Sequence, residues 1–93
     1  MSPAIQSEKI MFQIYRDANL ARYRVVYFTE LDDHNKDAEI NDAMRGEAIF
    51  DGYLRNYTKE DAKRIVKEIL ARLNNGEGVE PGEIAQKLKP YLA

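Results

Sequence analysis

Oxygen-bearing side chains alternate along one short stretch of the chain, Asp33, Asn35, Asp37 and Glu39, and the sole histidine, His34, sits among them. Hard cations are held by such oxygens. A transition metal would instead combine the His34 imidazole with Asp32, Asp33 or Asp37. A second imidazole is missing, so that donor set is thin. His34 reads as an exposed loop residue, and the chain is expected to carry no metal and no cofactor.

The alternation, followed by Ile40, resembles the opening of an EF-hand calcium loop, whose ligands fall at positions one, three, five and seven. Three features depart from that pattern. Ala38 stands where a glycine makes the sharp turn, Met44 stands where a bidentate glutamate closes the site, and a strand-like stretch precedes the loop. The simpler expectation is a solvated turn that caps a short helix. Calcium at Asp33, Asn35, Asp37 and Glu39 is the weaker alternative.

Covalent catalysis finds few tools. Serine occurs only at 2 and 7, and cysteine not at all. Thr29 and Thr58 have no histidine near them in sequence. Glu30 and Asp32 could exchange protons with a substrate, but no Gly-rich phosphate loop accompanies them. The expectation is a protein that is not an enzyme.

Arg16, Arg22 and Arg24 interleave with Tyr15, Tyr23 and Tyr27. Cations with aromatic rings can contact phosphates and stack bases. Strand alternation puts Tyr23 and Arg24 on opposite faces, and the acidic stretch would repel a polyanion. Nucleic-acid binding through Arg16, Arg22 and Arg24 is therefore the alternative reading. Tyrosine and arginine are also enriched at protein contacts. Tyr23, Arg24, Tyr27 and Phe28 are the residues expected to meet a partner.

Charge supports that order. The net charge is −2, too low for a general phosphate-binding surface. Residues 30–47 concentrate seven carboxylates against Lys36 and Arg45. No apolar run approaches the ~20 residues of a membrane span. The first residues, MSPAIQSEKIMFQIY, lack the basic and apolar regions of a secretion signal. With cysteine absent, a cytoplasmic location is expected.

The elements that would position these residues follow from periodicity. Lys9–Asp17 and Arg22–Leu31 alternate as strands, with about four residues between them, the length of a hairpin connection. Ile10, Phe12 and Ile14 share one face of the first. Tyr23, Val25 and Tyr27 oppose Arg24, Val26 and Phe28 on the second. Asp32–Lys36 reads as a turn and Asp37–Arg45 as a short helix on Ile40, Ala43 and Met44, ended by Gly46. Glu47–Asn56 is open to helix or strand, and Gly52 with its aromatic neighbours favours a third strand. Thr58–Asn75 is the long amphipathic helix, with Ala62, Ile65, Val66, Ile69, Leu70 and Leu73 on one face. Thr58 is expected to cap it by accepting the Asp61 N–H, and Gly76 to end it in the left-handed conformation. Pro81 opens a closing helix, and Pro90 loosens its last turn.

The expected architecture is one α+β domain over residues 1–93, with 1–7 flexible. A small antiparallel two- to three-stranded sheet packs against the long helix, with a short C-terminal helix beside it. One helical layer would leave the outer sheet face bare. That bare face suggests a protein-interaction or regulatory module, a homodimer or a binder of another protein, rather than a membrane or nucleic-acid partner.

Overall fold

The computed structural model describes residues 9–28 and 34–93. Three strands form an antiparallel sheet: β1 (Lys9–Asp17), β2 (Arg22–Tyr27) and β3 (Glu47–Arg55). Their order is β2-β1-β3, so the first strand is central. Three helices accompany them: α1 (Lys36–Arg45), α2 (Lys59–Asn74) and α3 (Pro81–Leu88). Short 3-10 turns follow β3 at Asn56–Thr58 and α3 at Lys89–Tyr91. The expected α+β fold is present, and Glu47–Arg55 is the third strand. The final residues of the expected second strand, 29–31, and the first two of the expected turn, Asp32 and Asp33, lie outside the described residues.

Alternation along β1 makes two cores. Ile10, Phe12 and Ile14 are buried against α2 and α3, where they meet Leu54, Ala62, Val66, Ile69, Leu73, Ile84 and Leu88. Phe12 lies at the centre of this layer, with the Tyr27 ring 6.2 Å and the Phe50 ring 5.9 Å away. Burying each such side chain contributes about 1.5–3 kcal/mol, so this face dominates stability. Val79, within a stretch that reads as a polar turn, plugs the same core.

The opposite face is not bare, which corrects the single helical layer expected from sequence. Helix α1 lies over it, and Tyr15, Val26 and Ala43 form a second buried cluster with Phe28 against them. The helix buries Ala43 and half-buries Glu39, Ile40 and Asp42, while Met44 is 78% exposed. Its inward side therefore carries Glu39, Ile40, Asp42 and Ala43, neighbours at the i, i+3 and i+4 spacings of one helix face.

Local chemistry sets the element ends. Gly76 adopts φ +90. Its N–H bonds the Leu73 carbonyl and the Glu77 N–H bonds that of Arg72, the double closure that ends a helix on glycine. Pro81 takes the first position of α3, as its missing N–H allows. Thr58 departs from its expected role. The chain enters α2 through a 3-10 turn, and the Thr58 hydroxyl donates to the Arg55 carbonyl at 2.9 Å instead of accepting an amide. Gly46 is extended, at φ −82 and ψ 178, rather than left-handed. It is glycine for lack of room: a Cβ there would lie 2.4 Å from the Arg16 carbonyl oxygen.

The two sheet edges differ. Along β3, Leu92 bridges to Leu54, and the Ala93 N–H bonds the Tyr53 carbonyl at 2.8 Å. Among the described residues β2 has no strand on its outer side.

Candidate functional site

Two places gather side chains with chemistry. The first lies between α1 and the sheet. The Arg24 guanidinium reaches three carboxylates: Asp17 at 3.1 Å, Glu39 at 2.8 Å and Asp42 at 3.5 Å. The Tyr15 hydroxyl lies 3.4 Å from Glu39, and Arg24 stands over the Tyr15 ring at 6.0 Å. Asp17 is buried, and its Oδ1 also accepts the N–H groups of Leu20 and Asn19. The Leu20 N–H, and then Arg24 and the Asn19 N–H, hold this carboxyl below its usual range. Burial pushes the Tyr15 phenol up to about 12, with Glu39, Asp42 and Asp17 adding to the rise against the lowering effect of Arg24. Both shifts favour the ordinary charge of these two groups at neutral pH, an ionised Asp17 and a neutral Tyr15. The cluster is a clamp: Glu39 and Asp42 tie α1 to a strand arginine.

The second place lies at the edge of β2. Val25 and Tyr27 of the strand, with Val66 and Leu70 of α2, line a groove of about 260 Å³. Lys63 and Lys67 rim it from the helix. The Lys63 ammonium stands 5.0 Å from the centroid of the Tyr27 ring. The groove is below the 300–1,000 Å³ of ordinary small-molecule pockets and suits one or two apolar side chains.

Next to the groove the strand edge is partly covered. The Asn74 side chain accepts the Tyr23 N–H at 2.7 Å and donates to the Tyr23 carbonyl at 3.1 Å. An amide side chain here does what a neighbouring strand would do. Because Tyr23 turns its N–H and carbonyl outward, alternation turns those of Val25 outward as well. Among the described residues no hydrogen bond reaches the Val25 pair from outside the sheet.

The residues singled out from sequence fall as follows. Tyr23 and Tyr27 lie on the α2 side of the sheet and pack against the larger core. Arg24 and Phe28 lie on the α1 side, Arg24 in the clamp and Phe28 against the second cluster. The four do not form one surface, and Tyr27 alone lines the groove. Arg16 and Arg22 are exposed at the hairpin end. They do not join Arg24, which is held by acids. Asn35 sits at the α1 N-terminus without a side-chain cap bond, and Asp37 is exposed in its first turn. Two residues apart on a helix, Asp37 and Glu39 point in different directions, and Glu39 is bound to Arg24. Asp37 and Glu39 therefore do not converge on one point. Asp33, like Asp32, lies outside the described residues. No group of three or more His, Asp or Glu able to hold a metal occurs among the described residues.

Sequence reasoning missed Asp17, Asn74 and the groove residues Lys63 and Lys67. The lysines read as the solvated side of α2, and only the strand order brings them beside β2. Comparison with protein families, with curated proteins and with solved structures finds no match for this chain. No described helix is long and apolar enough to cross a membrane.

Proposed function

We propose that this small α+β chain is a non-enzymatic protein-interaction module whose contact surface is the outer edge of β2 with the groove above it. The observation that carries the reading is the pairing of an outward-facing Val25 backbone with an apolar cleft lined by Val25, Tyr27, Val66 and Leu70. An exposed strand edge beside a helix is a recurring platform for peptide recognition. The backbone supplies hydrogen bonds, and the cleft supplies side-chain selectivity.

The sequence suggested a homodimer, and β2 could pair with itself about a two-fold axis at Val25. That arrangement sets the α2 helices side by side on one face of a continuous sheet. It brings Lys67 towards its symmetry mate, a like-charge contact that disfavours self-pairing. A different chain is the better partner. Nucleic acid is disfavoured by the commitment of Arg24 to three carboxylates.

Selection of displayed random peptides against the whole chain tests the reading. Enriched peptides should bind the wild type and fail on V25P. That variant removes one outward N–H while keeping the β1–β2 bonds, a substitution edge strands tolerate. Circular dichroism checks its fold. A selection that enriches nothing, or peptides that bind V25P equally well, would overturn it.

A further inference from the structure

We infer that helix α1 is an acid-released cover: as pH falls it opens from the sheet while the core beneath α2 and α3 stays folded, and the face carrying Tyr15 and Val26 is uncovered. This face lies opposite α2, away from the groove at β2.

Separate opening follows from the two clusters. Ile10, Phe12 and Ile14 are buried with residues of α2 and α3. Tyr15, Val26 and Ala43 form a cluster of their own. Helix α1 buries Ala43 alone, with Ile40 half-buried. An element with few buried apolar contacts opens at a lower free energy than the main core. Off the sheet α1 does not persist, since isolated helices shorter than ~12–15 residues are marginal in water. Tyr15 and Val26 pack on Ala43, so the loss of α1 exposes them.

Acid sensitivity follows from what holds α1 down. Glu39 and Asp42 reach the Arg24 guanidinium of β2 at 2.8 and 3.5 Å. Glu39 also lies 3.4 Å from the Tyr15 hydroxyl. From β1, Asp17 meets the same guanidinium at 3.1 Å. On β3, Glu47 and Asp51 are exposed, and among the described residues neither pairs with Arg24. Lys36, Asp37 and Arg45 of α1 are exposed as well. The Arg24 side chain is only 23% exposed. Protonating its three carboxylates leaves a covered cation without a counter-charge, a cost that lasts while α1 is in place. Opening returns Arg24 to water. Asp37 and Glu39 also sit in the first turn of α1, where negative charge favours the helix. Acid removes that support too. The larger core offers acid no such target, because its buried members are all apolar.

Amide hydrogen exchange of the whole chain, read by NMR and divided by the chemical rate at each pH, tests this. Between about pH 7 and about pH 3, which spans the ordinary carboxylate range, Ala43 and Met44 should open at least about tenfold more often, while Phe12 and Val66 stay protected. The E39Q/D42N variant, which carries the uncharged form of the pair, should show that opening already at neutral pH. R24M, which removes the cation, should lose most of the acid response. Opening of Ala43 and Met44 that does not rise in acid, or that rises only together with Phe12 and Val66, would overturn the inference. So would wild-type protection of Ala43 in E39Q/D42N at neutral pH, or an undiminished acid response in R24M.

Discussion

Asn74, at the C-terminal end of α2, bonds both the N–H and the carbonyl of Tyr23, 51 residues earlier in the chain. One side-chain amide thus fastens the long helix to the strand edge and occupies a pairing position that another chain could otherwise use. Edge strands left open are templates for association. Asn74→Ala should destabilise the fold by about 1 kcal/mol, the usual net worth of such bonds near solvent. It should also raise self-association along β2. Urea unfolding reads the first effect and sedimentation velocity the second.

Gly46 sits where β3 crosses the end of β1. A Cβ there would fall 2.4 Å from the Arg16 carbonyl oxygen and 2.9 Å from the Tyr15 ring. The Arg16 contact is with backbone, which cannot swing aside as a side chain can. Gly46→Ala should lower stability by about 2–3 kcal/mol through overpacking. A denaturation midpoint equal to that of the wild type would contradict the close approach.

Ala21 closes the β1–β2 loop with φ +53, a conformation L-residues avoid. The penalty for a Cβ in this region is roughly 1–2 kcal/mol, partly offset by the extra entropy glycine loses on folding. Ala21→Gly should therefore stabilise the hairpin by about 0.5–1 kcal/mol. Thermal unfolding checks the sign.

The clamp between α1 and the sheet predicts pH dependence at both ends of the scale. Asp17 has its pKa lowered in the fold by the Leu20 N–H, Arg24 and the Asn19 N–H. Its contribution is present above the ordinary carboxylate range and is lost as pH falls through the lowered value. Asp17→Asn should flatten that acid limb. Tyr15 behaves in the opposite sense. Its phenol is raised from 10.0 to about 12, so its contribution is present below 10 and lost as pH rises towards 12. Tyr15→Phe should flatten the alkaline limb, read by urea unfolding across pH.

What could be read from sequence depended on whether local signals agreed. Helix α2 was legible because its apolar spacing and the following Gly76 point the same way. The strand β1 was legible because Ile10, Phe12 and Ile14 alternate cleanly. The position of α1 was not. Its apolar spacing suggested Ile40, Ala43 and Met44 as the inner face; Ala43 is buried and Ile40 half-buried, but Met44 is exposed and Glu39 and Asp42 share the inward side. Besides Tyr15 and Val26, the sheet presents Arg24 to this helix, so charge complementarity joined the apolar pattern. The covered second face followed from that, and with it the dispersal of Tyr23, Arg24, Tyr27 and Phe28 over two sides of the sheet. The Asn74–Tyr23 bonds left no trace in the sequence, since a polar side chain bonding a distant backbone produces no periodicity. Lys63 and Lys67 were visible as charges on α2, but their position beside β2 needed the strand order.

The central claim is that a partner chain continues the sheet at β2, and amide hydrogen exchange at Val25 tests it most directly. With a selected peptide bound to the whole chain, the Val25 amide should exchange at least about tenfold more slowly than in the free protein, because its outward N–H gains an acceptor. Unchanged exchange at Val25, with slowing confined to some other surface, would contradict the account.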